Sequence, residues 1–192
     1  MTTSTAAPRI ITRTTLEQQL LTASLLAAPV AYLATDTTFA ARGWEDATAG
    51  VLQVLASIAY GFVFLRVAGW LAPASRHRAA LVVVGLVGTA GAVAYGFDTI
   101  HLSLGDTQLV DQPGAANLIK PMGLFFPLAV ALVAAALVRL GARWQGALVL
   151  VAAVAWPVGH IANLAPVCVA VNVLLVLGLG TLLWQPPNPE RG

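Results

Sequence analysis

The sequence predicts an all-α fold: a polytopic integral membrane bundle of six transmembrane helices with both termini cytoplasmic. Three observations carry this. Hydrophobic residues make up 58% of the 192 residues and charged residues 9%, where a soluble domain holds about 25% charged. Six apolar stretches approach or exceed the roughly 20 residues that a helix needs to cross a bilayer. The arginines cluster in alternate connections, as in chains whose basic loops stay in the cytoplasm.

The first stretch, Leu16–Thr35, is the least apolar, because it opens on Glu17, Gln18 and Gln19 and carries Pro29. It also admits a different use. Arg9 and Arg13, an apolar core from Leu20 to Ala34 and small residues at Ala40 and Ala41 resemble a secretory signal, whose removal leaves five spans. Thr48–Leu71 and Ala79–Leu104 follow, the latter with Gly85, Gly88, Gly91 and Ala92 as a small-residue stripe suited to close helix approach. A loop from Gly105 to Asn117 leads into Leu118–Leu140, which holds Pro121 and Pro127. The last two stretches, Gly146–Leu164 and Pro166–Trp184, are joined by a tight turn, and Pro166 suits a first helical turn that has no use for its missing N–H. The domain organisation is therefore an arm over residues 1–15, a transmembrane domain over 16–184 and a tail over 185–192.

Orientation follows from the basic residues. Arg9, Arg13, Arg66, Arg76, Arg78, Arg139, Arg143 and Arg191 fall on one side of this path; Arg42 and Lys120 fall on the other, among Asp36, Glu45, Asp46, Asp106 and Asp111. The arginine side is expected to be cytoplasmic, in a bacterial-type plasma (inner) membrane. Trp70, Trp144, Trp184 and Trp44 come at span ends, as belt residues should, and Trp156 lies mid-span. A net charge of +2, with no basic run, excludes a nucleic-acid surface. The bilayer is the partner that composition requires; a second copy of the chain or another membrane protein stays an open alternative.

Ionisable groups within spans cost a few kcal/mol on insertion scales (about 2.5–3.5 for Asp) and therefore mark candidate sites. Asp98 and His101 lie three residues apart on the third span, with Tyr95 beneath them; His160 and Asn163 repeat that spacing on the fifth, with Trp156 a turn below. Both pairs fall in the outer third of their spans. Lys120, Asn172 and Asp36 are placed to join them. The expected feature is an outward-facing polar pocket between the third and fifth spans, built from Asp98, His101, His160, Asn163, Lys120, Asn172, Tyr95 and Trp156.

Three uses stay open. Asp98, His101 and His160 form a two-histidine, one-carboxylate set of the kind that binds a single metal ion, and His101 with His160 is a minimal axial pair for a haem. With neither cofactor, the same groups pair structurally. Pro157 removes the backbone donor to the carbonyl of Ala153, as in the interrupted helices of carriers, and six helices would make a small-solute or ion carrier as a homodimer. A scaffold would instead show a small-residue face to lipid, on the third or sixth span. Cys168, the one cysteine, is expected as a small packing residue. No Gly-x-Ser-x-Gly elbow or phosphate-binding glycine loop is present.

Overall fold

The computed structural model describes residues 15–187. Most of the expected arm and tail, with Arg9, Arg13 and Arg191, lies outside the described residues. Six helices, α1 (Leu16–Arg42), α2 (Ala47–Trp70), α3 (Arg76–Ser103), α4 (Ile119–Arg139), α5 (Arg143–Ile161) and α6 (Ala165–Gly180), form the chain, with short 3-10 turns at Leu109–Asp111, Gly114–Leu118 and Thr181–Leu183. All six are long and apolar enough to cross a membrane, α6 with its 3-10 extension.

Local chemistry explains the helix ends. The polar opening of α1 is a capping box: the Thr15 hydroxyl accepts from the Gln18 amide and the Gln18 side chain accepts from the Thr15 amide. Asp46 caps α2 through the Ala49 amide and pairs with Arg42 at 3.0 Å. Helix α5 stops at Asn163, which takes a left-handed φ of 53°; the Leu164 amide then closes back on the Gly159 carbonyl. Asn163 thus leaves the helical face it was expected to share with His160. Pro157 sits inside a continuous α5, so the interrupted helix of the carrier reading is not formed.

Each helix packs on its neighbours in sequence, and α6 closes on α1, so the six make a ring. Short connections require consecutive helices to run antiparallel. One end of the ring gathers Arg66, Arg76, Arg78, Arg139 and Arg143; the other, the loop end, carries Trp44 and the 104–118 connection. At the arginine end His77 ties α3 to α4, with Nε2 donating to the Leu132 carbonyl at 2.9 Å and Nδ1 accepting from Arg139 at 3.2 Å.

The ring is filled by aromatic side chains from four helices. Tyr32, Tyr60, Phe64, Phe126 and Trp156 contact one another at centroid separations of 5.1–6.0 Å and are buried. Outside, Leu55, Val83, Leu86, Leu150, Val154 and Leu177 stand exposed. In water such a surface would aggregate; it is compatible with lipid. Ser24, Thr35, Asp36, Gln53, Ser57, Asp98, Gln145 and Asn172 are turned inward.

The glycine stripe of α3 faces protein. A Cβ on Gly91 would lie 2.5 Å from the Met122 carbonyl group, and one on Gly88 would lie 2.6 Å from the Phe126 nitrogen, so backbone meets backbone between α3 and α4. Gly178 and Gly180 of α6 are buried as well. The lipid-exposed small-residue face expected of a scaffold is corrected accordingly: small residues were spent on packing the ring.

Candidate functional site

At the loop end a cavity of about 680 Å³ opens into the ring. Of the eight residues expected around a pocket, Tyr95, Asp98, Lys120, Trp156, His160 and Asn163 line it, joined by Phe39, Trp44, Glu45, Gln53 and Asp111. Its walls come from α1 to α5 and from all three loop-end connections, so it is a vestibule on the ring's axis and not a cleft between α3 and α5 alone. Below it lies the aromatic filling, reached through Trp156, which stacks on His160 at 4.0 Å.

Asp98 does not reach a histidine. It is 2% exposed, and its carboxylate accepts from the Leu109 amide at 2.6 Å and the Val110 amide at 3.4 Å. These are the free donors at the start of a 3-10 turn, so the acid pins the loop that forms the vestibule wall. Asp98→Ala is expected to release the loop without unfolding the ring. Hydrogen exchange at residues 107–112 should rise, while the unfolding midpoint moves little; unchanged exchange would show that the loop is held otherwise.

His101 turns outward. Its side chain is 61% exposed and pairs with Asp106 at 3.5 Å, and it does not line the vestibule. Asp98, His101 and His160 are therefore not brought together as a metal set, nor His101 and His160 as a haem pair. The reason is angular: three residues of separation put Asp98 and His101 about 60° apart round α3, enough to send one inward and one to solvent.

His160 instead meets residues from α1 and α6. Helix α1 continues past the expected end at Thr35, because Thr35, Thr37 and Thr38 satisfy their hydroxyls on carbonyls one turn back. Asp36 consequently lies inside the bundle, fully buried, with Oδ1 at 3.4 Å from His160 Nε2 and Oδ2 accepting from Asn172 Nδ2 at 2.5 Å. Asn172 is buried in this cluster below the vestibule. Cys168 is more than packing: its Sγ lies 3.6 Å from His160 Nδ1. Gly159 makes this seat, since a Cβ there would stand 2.8 Å from that sulfur. The sequence placed Asp36 and Asn172 at the depth of His160, but spacing had no means to pair Asp36 with it or to find Cys168, for these residues come from opposite ends of the chain and meet where the ring closes.

Fold and site together define an integral membrane protein: a closed six-helix ring with a one-sided polar vestibule above a buried acid, imidazole, amide and thiol cluster. No family model, no curated protein and no solved structure matches the chain.

Proposed function

We propose that the protein binds a small organic cation in the vestibule, from the outer side of a plasma membrane, with both termini in the cytoplasm. The observation that carries this reading is the composition of the cavity. Phe39, Trp44, Tyr95 and Trp156 give aromatic rings, and Glu45, Asp98 and Asp111 outnumber Lys120 and His160. Aromatic faces and excess carboxylate favour amines and quaternary ammonium groups, and the volume falls within the range of small-molecule sites, about 300–1,000 Å³. The arginines at the opposite end support the orientation. The aromatic filling favours binding from one side over passage, because a carrier would have to part Tyr32, Tyr60 and Phe126.

The test uses the full chain in detergent. Choline and ethanolamine are expected to change tryptophan emission saturably, with acetate inert; Trp44→Leu should weaken binding about 2- to 30-fold, the equivalent of about 0.5–2 kcal/mol for a cation–π contact. No saturable response to either amine would sink the reading. For orientation, Gln108→Cys in a Cys168→Ser background should react with an impermeant maleimide on intact cells, and labelling only after lysis would reverse it.

A further inference from the structure

With a neutral imidazole, the cluster beneath the vestibule has a hydrogen-bonding conflict that a cation would relieve. His160 Nδ1 lies 3.0 Å from the Trp156 carbonyl. A carbonyl only accepts, so this nitrogen carries the hydrogen, and the Nε2 of a neutral ring presents a lone pair. That lone pair faces Asp36 Oδ1, a second acceptor, at 3.4 Å, and neither atom has a hydrogen-bond partner among the described residues. Two buried acceptors turned towards each other need a cation between them, either a proton on Nε2 or a metal ion.

The surroundings fit a metal ion. Bonds of about 2.0–2.1 Å from Zn²⁺ to nitrogen and oxygen at the tetrahedral angle hold those two atoms about 3.4 Å apart, the separation found here. Cys168 adds a third donor: one ligand atom from each of Asp36, His160 and Cys168 lies within 4.8 Å of the others. Sγ lies 3.6 Å from Nδ1, so it has to turn towards the Nε2 side of the ring to complete a site whose thiolate edges are about 3.6 Å. Asn172 supports the carboxylate. Its Nδ2 is used by Asp36 Oδ2 and the Cys168 carbonyl, while its fully buried Oδ1 has no partner among the described residues. An outer amide orienting the carboxylate and a backbone carbonyl fixing the imidazole are the usual supports of metal ligands.

We propose that Asp36, His160 and Cys168, with the carboxylate oriented by Asn172, bind one divalent transition metal of the Zn²⁺ class. On binding, the Cys168 thiol loses its proton to solvent through the vestibule. Carboxylate, thiolate and dication then sum to zero, as a site within a membrane requires. The inference is independent of what the vestibule binds.

Cobalt tests it in the chelator-stripped full chain. One Co²⁺ per chain is expected, with visible bands of a tetrahedral ion and a near-ultraviolet thiolate-to-cobalt band, both displaced by Zn²⁺. Cys168 is the only cysteine, so that band has one source and must vanish in Cys168→Ser; Asp36→Asn should weaken affinity at least about 10-fold. Absence of stoichiometric binding, or binding without the thiolate band, overturns the proposal and leaves a proton as the cation between Asp36 and His160. Amine-induced tryptophan emission should persist in Cys168→Ser, which separates this result from the fate of the vestibule reading.

Discussion

His160→Ala is expected to destabilise the folded ring by about 3–5 kcal/mol in metal-free buffer. There a proton is the cation between imidazole and carboxylate, and losing the imidazole leaves the buried Asp36 charge with only the Asn172 amide. Had the imidazole served only as interhelical glue, the loss would be about 0.6 kcal/mol. The gap between these values lets denaturant titration decide. Adding Asp36→Asn should recover most of the loss, since the amide can donate to neighbouring acceptors and carries no charge to desolvate. Equal losses in the single and double variants would mean that Asp36 and His160 are not coupled, and would count against the cluster as a unit.

Gly91→Val should have a comparable effect by a different route. A Cβ at that position would fall on the Met122 carbonyl group, and backbone of α4 cannot turn aside as a side chain can. Overpacking typically costs about 1–3 kcal/mol; rigid contact and added branching put this substitution at about 3 kcal/mol or more. Gly69→Ala is the matched control, with no atom within 4 Å of its Cβ, and its midpoint should stay level or rise slightly, as alanine suits a helix better. If both variants unfold at the wild-type midpoint, α3 and α4 do not pack as closely as described.

The spans were legible because they depend on local composition. Length and apolarity identify a crossing helix whatever its neighbours, and all six emerge where the hydrophobic stretches lie. Span limits were harder. Asp36 and three threonines look like the exit from a membrane, yet the threonines bond their own helix and α1 runs to Arg42. Six of the eight expected pocket residues line the vestibule, since polar residues near the same end of several spans have few places to go. Pairing was illegible. Helical spacing ties Asp98 to His101, whereas the structure gives each a partner from the following loop; His160 finds its partner 124 positions away, the difference between 160 and 36. Only ring closure brings those two together.

That closure also sets an order of assembly. If the spans enter the bilayer in sequence, Asp36 arrives with the first and its companions with the last two, so throughout synthesis the acid waits in a half-built barrel with nothing to neutralise it. A chain cut short after the fourth span would keep that acid facing lipid or an open seam. The seam between the first and last helices therefore works as a completeness check: the acid is hidden only once the last helices have closed on the first.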